Sequence, residues 1–407
     1  MKLRTLLLAL TTASTCLAAA AAERLTVTVS HSLDLARPSE TITVPWSSVN
    51  DALPGALLQK IVVKDKAGKV LPYQVTNVNA TSKDPLGKGI AYGELIFQHS
   101  FKAGEKSATF TVEKSDKLSP VFPSKVFARY VPERLDDFAW ENDKIGHRTY
   151  GPALGAPAAP GSGKEVLETS GLDIWFKRVD YPIVDRWYNK GHDHYHHDEG
   201  EGMDMYNVGK SRGAGGTGVW DGSKLYSARN YSGWKVLANG PVRAIFELSY
   251  DAYDAAGTKV TEVRRFTVDA GRNFDQMDTT FTFTGPQQLT AAIGLNKAPT
   301  DKGTNPKVTP LEVKADPSLG QWVVQEKNDN FGTAVFVPGV TDPVYASDDL
   351  NTLILAPVTS GQPLRYYVGA GWARAGEFKT QQDWQRYVAA EAARAKSPIK
   401  VTLSSSK

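Results

Sequence analysis

From Arg24 onward the chain alternates apolar and polar residues with period two. The runs RLTVTVSHSL, ETITVPW, KIVVKD, GKVLPYQV, GELIFQHSF and SATFTVEK each carry that pattern, with turn residues between them. Such alternation sets one side of a strand on a core and the other in solvent. Residues 23–115 are therefore expected to form a small β-sandwich, and SDKLSPVFPSK, with two prolines, predicts a linker over 116–125. Residues 126–407 carry longer runs, among them PVRAIFELSYDAY, TKVTEVRRFTVDAGRN and FDQMDTTFTFTG, and later QWVVQE, TAVFVP, TLILAP and LRYYVGAGW. These predict wide antiparallel sheets, and hence an all-β chain built on a large antiparallel supersandwich. One helix is expected late, in TQQDWQRYVAAEAARAKS, with Trp384, Val388 and Ala392 on one face and Pro398 as its stop. IKVTL adds a last strand, and no heptad or fixed repeat sets an oligomeric state.

Composition narrows the class. The opening MKLRTLLLALTTASTCLAAAAAERL has a short basic start, an apolar run and an alanine tract. That is the order of a secretory signal peptide, residues 1–22, with cleavage expected near Ala22 and a periplasmic or secreted product. The apolar run is too short to span a bilayer comfortably, and no later segment approaches one. A lipoprotein is not favoured, because Ala13-Ser14-Thr15 lacks the leucine expected three positions before a lipidated Cys16. Beyond Cys16 there is no cysteine, and a chain this long can bury a core without disulfides. Loss of Lys2 and Arg4 takes the net charge from +3 to about +1 (47 − 2 − 44). A charge so small gives no field for nucleic acid or an anionic membrane. Nine tryptophans and sixteen tyrosines suit sugar rings, and suit a β-rich core equally.

Three segments concentrate candidate chemistry. NKGHDHYHHDEGEGMDMYNVG, residues 189–209, holds four of the seven histidines. On a strand, His192, His194 and His196 would share one face and Asp193, Tyr195 and His197 the other. His194 and His196, with Asp198, Glu201 or Asp204, could then hold one divalent ion, calcium or zinc. The same residues suit proton transfer, with carboxylates orienting imidazole; the plain alternative is a solvated loop. DDFAWENDKIGHRTYGP, residues 136–152, offers Trp140, Glu141, His147, Arg148 and Tyr150, and a planar guanidinium suits a sugar carboxylate. The competing expectation is a strand pair with Trp140 in the core. GKSRGAGGTGVWDGSK, residues 209–224, reads as a loop bringing backbone to a ligand, with Lys210 and Arg212 as anion contacts. It lacks the P-loop ending, so no nucleotide cofactor is expected.

In combination, RLDDFAWENDKIGHRTYGP, GLDIWFKRVDYPIVDRWY, YHHDEGEGMDMYNVGKSRGAGG, NGPVRAIFELSY and DWQRYVAAEAAR resemble the domain-of-unknown-function 4861 family of secreted bacterial proteins. The segment from Gly240 to Gly285 also resembles a galactose-mutarotase-like β-supersandwich, a fold shared by epimerases, polysaccharide lyases and sugar-binding domains. The resemblance implies a place in polysaccharide degradation, near hydrolases of unsaturated uronides. His147 departs from the apolar or aromatic residue expected at its position.

The expected partner is thus an anionic poly- or oligosaccharide, and the leading expectation is a lyase acting on uronates by β-elimination. His194, His196, Tyr195, Tyr206 and Glu201 are the catalytic candidates. Trp140, Glu141, His147, Arg148, Tyr150, Lys177, Trp187, Lys210 and Arg212 are the substrate-binding ones. The alternatives are a glycoside hydrolase with paired carboxylates, Glu141 with Glu201 or Asp198 with Glu201, and a noncatalytic carbohydrate-binding protein.

Overall fold

The computed structural model describes residues 24–78, 93–300, 305–311, 317–340 and 343–406. The expected signal peptide lies outside the described residues. Strands dominate, as the alternation requires, and every strand pairing within the sheets is antiparallel.

The first unit is a sandwich of a five-stranded and a three-stranded sheet. Its core is the inward half of each alternating run, with Val27, Val29, Ile42, Val44, Phe97 and Phe110 fully or almost fully buried. Each such side chain contributes about 1.5–3 kcal/mol relative to exposure. Residues 116–125 then cross to the second unit without helix or strand. The chain's last strand, Lys400–Ser406, returns to the first unit and pairs with Arg24–Ser30, so residues 400–406 stand apart from the 126–407 region that precedes them. IKVTL shows by its period that it is a strand; its partner is decided by which sheet has a free edge.

The second unit centres on an eight-stranded sheet whose long strands include Arg243–Ala255, Thr258–Asp269 and Phe274–Phe283. Two five-stranded sheets contribute to one core with it. One contains Ala214–Trp220 and Leu289–Asn296. The other, hereafter the site sheet, runs in the order Gly202–Asp204, Asp173–Lys177, Ile145–Thr149, Asp137–Glu141, Phe127–Val131. The helix Gln381–Lys396 packs on the opposite face of the large sheet, burying Trp384, Val388 and Ala392 as its period predicts. Thr380 and Asp383 form a capping box at its start. Gly332 leaves room for Trp384, since a Cβ there would stand 2.3 Å from the indole.

Candidate functional site

Period two gives the site sheet two different faces. Phe138, Trp140, Ile174, Phe176 and Met203 point into the shared core. Residues one position away, Asp137, Glu141, Arg148, Asp173, Lys177 and Asp204, occupy the other face and are all buried. Two short helices, Val184–Lys190 and His192–Tyr195, cover this charged face. They insert Val184, Trp187, Tyr188 and Tyr195 against Trp175 and Ala139.

The histidine segment is therefore helical where alternation predicts a strand. Gly191, at φ 99°, separates the two helices, and Tyr195 is the one large side chain of the second helix to reach the interior. Helical spacing brings His192 and His196 together, with ring centroids 4.7 Å apart. His194 turns instead to Glu199, at 3.0 Å, and His197 is exposed.

Glu141 and Lys177 stabilise this cover. Lys177 Nζ donates to Glu141 Oε2 at 2.6 Å and to the Asn142 carbonyl at 2.7 Å. The backbone N–H groups of Ile183 and Val184 donate to Glu141 Oε1, both at 2.8 Å, so its carboxylate satisfies the first turn of a helix. Both side chains are buried and turned to protein partners.

Beneath the helices Arg148 is the hub. Its Nε donates to Asp173 at 2.7 Å, its Nη2 to Asp204 at 2.8 Å and its Nη1 to the Tyr195 hydroxyl at 3.3 Å. Asp137 lies 3.6 Å from Nη1 and accepts from the Tyr188 hydroxyl at 3.1 Å. Tyr150 donates to Asp173 at 3.0 Å. Burial opposes the charge on Arg148, but Tyr150 and the three carboxylates outweigh it and raise its pKa. Burial also dominates at Asp137, which is pushed up to about 6 despite Arg148 and Arg134. The hub's guanidinium is committed to protein carboxylates, so the substrate-carboxylate role expected of Arg148 from the sequence has no free fork to use.

Above the hub the surface opens at His196. The ring Nδ1 sits 3.0 Å from the Asp204 carbonyl, so this nitrogen is placed to donate and Nε2 to accept. Burial lowers the pKa of His196, which favours the neutral ring. The His196 side chain is 31% exposed, whereas Tyr195 and Tyr206 are buried and do not face solvent. Arg134 borders Tyr195 from another side. Burial works against its charge, yet Asp137 and the Tyr195 hydroxyl leave its pKa raised. Arg134 Nη1 is buried and has no hydrogen-bond partner among the described residues. The next two residues, Leu135 and Asp136, both have left-handed backbone, φ 50° and 63°. Two consecutive non-glycine residues there cost on the order of 1–3 kcal/mol each, a strain that clusters at functional sites. Surrounding contacts hold them. Tyr231 donates to the Asp136 carbonyl at 2.6 Å, and a Cβ at Gly151 would come within 1.7 Å of that oxygen.

The other expected site residues are dispersed. Glu201 accepts from Tyr181 at 2.8 Å, Arg186 at 2.9 Å and Trp187 at 3.2 Å, which fixes Trp187 in the cover. Asp198 is held between Arg178, at 3.1 Å, and Arg374, at 2.9 Å. These ion pairs lower both carboxylates against the effect of burial. Asp204 belongs to Arg148. Arginines thus take the carboxylates that the sequence grouped with histidine, and among the described residues no three His, Cys, Asp or Glu side chains form a metal-ligand group. The carboxylates considered as hydrolase pairs do not face one another either, each being turned to its own cation.

The glycine-rich segment also differs from expectation. Ala214–Trp220 is a buried strand, and its glycines admit neighbouring elements. A Cβ at Gly215 would lie 2.1 Å from Val368. Arg212 is in the interior, donating to Ser170 Oγ at 2.8 Å, and burial with Arg264 nearby pushes it down to about 10. Lys210 is exposed.

Trp140 and His147 are core residues stacked at 5.3 Å. Burial holds His147 down at about 4 and Asp275, 3.7 Å away, up at about 7. The folded chain retains the Asp275 proton where the unfolded chain releases it. This contribution is complete below the unfolded value of 3.8 and is lost as pH rises through about 7. Asp275→Asn keeps an acceptor for Trp140 Nε1. It is expected to raise the melting temperature at pH 8.5 and, by less, at pH 5, as thermal melts at the two pH values would show. A loss at pH 8.5 would contradict a buried carboxylate that ionises at cost.

Arg134, Asp137 and Asp173 are not singled out by the sequence, although Arg134 adjoins the 136–152 segment, Asp137 lies within it, and period two places Asp137 on the Arg148 face.

The fold is thus a β-rich chain with a large multi-sheet second unit. The DUF4861 profile, described as a domain of unknown function, matches residues 29–401, and the chain belongs to that family. A protein of Formosa agariphila named "Uncharacterized protein P7" is 28% identical over 392 residues, covering 93% of each chain. Among solved structures, an alpha-mannosidase from Enterococcus faecalis V583 aligns with a TM-score of 0.48 at 10% identity, over 95% of this chain and 46% of that one. A glycosyl hydrolase family 38 protein from Enterococcus faecalis gives 0.47 at 11%, over 95% and 48%. The chain spans about half the length of these two structures, and at such scores the likeness bears on neither activity nor substrate.

Proposed function

We propose that the protein is an exported enzyme that cleaves uronic-acid-containing poly- or oligosaccharide by β-elimination at the surface around His196. The observation that carries the reading is His196, a part-exposed imidazole with lowered pKa and Nδ1 set against a carbonyl. Neutral Nε2 takes the proton next to the uronate carboxylate. The C4–O4 bond breaks as the C4=C5 bond forms, and the imidazolium returns that proton to O4. The positive charge of Arg134, which borders Tyr195, acts through its field on the carboxylate as charge develops there. Tyr195 stays beneath, its ring 4.9 Å from His196, and keeps the imidazole positioned.

The alternative reaction on the same substrate is hydrolysis, in which water cleaves the glycosidic bond and no double bond forms. Incubation with defined uronans separates the two. One unsaturated uronide per new reducing end, read by ultraviolet absorbance and a reducing-sugar assay, is the expected result. Reducing ends without unsaturation would replace elimination by hydrolysis, and neither product across uronans would refute both.

A further inference from the structure

A second crevice lies far in sequence from the His196 surface, where the first unit, the large sheet and the C-terminal helix meet. Its cavity volume is about 260 Å³. Four arginines line it against three carboxylates, for a formal excess of one positive charge (4 − 3). Arg37 donates to Glu40 at 2.9 Å, and Arg272 bridges Glu40 at 3.1 Å and Glu391 at 3.0 Å. Arg243 donates to Asp269 at 2.7 Å, and Arg394 pairs with Glu391. The pairing is incomplete. Arg243 Nη1 and Arg272 Nε make no hydrogen bond to protein among the described residues. One wall is aromatic. Phe336 and Tyr367 stack with centroids 4.7 Å apart, and the Tyr367 hydroxyl donates to Gln276 at 3.1 Å, leaving both polar groups at the crevice lining.

Simple docking of the two units would need charge balance and close packing. The crevice has instead surplus cation, spare planar donors and a ring surface around an open volume. Spare guanidinium N–H groups suit a carboxylate, and an aromatic face suits the C–H face of a pyranose. We propose that this crevice is a binding site for a single sugar-acid residue, with its carboxylate on Arg243 and Arg272 and its ring against Tyr367. The site is separate from the His196 surface and would hold a monosaccharide or the end of a chain.

Calorimetric titration of the full chain tests this with glucuronate, glucose as the uncharged ring and sulfate as the ring-free anion. Glucuronate is expected to bind, and more weakly as salt rises, with glucose and sulfate both weaker. Arg243→Lys and Tyr367→Leu are each expected to weaken that binding by about tenfold or more, one charge-assisted contact being worth about that. Turnover at the His196 surface should stay as it was. Tyr367→Phe keeps the ring and should bind nearly as the parent does, which separates lost recognition from misfolding. His196→Ala should leave the glucuronate isotherm of the crevice intact, so failure of elimination and failure of this site read differently. Binding of sulfate as tight as glucuronate, binding indifferent to both variants, or no heat with glucuronate would each overturn the assignment.

Discussion

His196→Ala is expected to lower turnover on a uronate-containing chain by about 10²- to 10⁴-fold, the range lost with a positioned acid–base group. The melting temperature should scarcely move, because the side chain is part exposed and contributes one hydrogen bond, to the Asp204 carbonyl. The sign of the pH dependence follows from the lowered pKa. Burial favours neutral imidazole, so the base form is the populated one at neutral pH. The rate should therefore fall only as the solution is acidified through a value below the ordinary 6.5. His194→Ala supplies the contrast. Its ring is paired with the exposed Glu199 and should be dispensable. Wild-type turnover in His196→Ala, measured as unsaturated product per unit time, would remove the proposed base.

Arg148→Met should have the largest effect on stability, about 3–5 kcal/mol, the cost of breaking a buried ion pair by removing one partner. Asp137, Asp173 and Asp204 would then share a buried face with no guanidinium between them. The loss should shrink on acidification, because protonation removes the uncompensated charge; with Asp137 already up at about 6, recovery should start there. Arg148→Lys should fall between, since one ammonium cannot reproduce the forked contacts to Asp173, Asp204 and Tyr195. Adding Asp173→Asn to Arg148→Met should recover part of the loss, a coupling that a double-mutant cycle reads directly. Melting temperatures at pH 5 and pH 8 check all three. If Arg148→Met melts with the parent at pH 8, the hub does not hold the site sheet.

The legible part of the site was its composition. The segments around residues 136–152 and 189–209 do come together, and Arg148, Tyr195, His196 and Asp204 meet in one cluster. The candidates that the fold turns to protein partners share a cause. His147 and Arg212 are ionisable residues expected at a ligand surface, and here the interior neutralises or satisfies them, while Trp140 follows the competing expectation of a core residue. Glu201 and Asp198 were grouped with histidines because they are near in sequence. In space an arginine from another element reaches each one: Arg186 from the covering helix and Arg374 from the far end of the chain.

Alternation over Arg24–Ser30, Thr258–Asp269 and Phe274–Phe283 determines strands, their buried halves and an all-β class, because that period depends only on neighbours along the chain. The late helix follows in the same way from Thr380, Asp383, Trp384, Val388 and Ala392. The tertiary structure alone decided that Lys400–Ser406 joins the first strand, that His192–Tyr195 forms a helical turn and not a strand, and that one guanidinium serves three carboxylates. The reason is physical. Partners of a sheet edge and of a buried charge are chosen by desolvation and geometry between residues far apart in sequence, for which no local period exists.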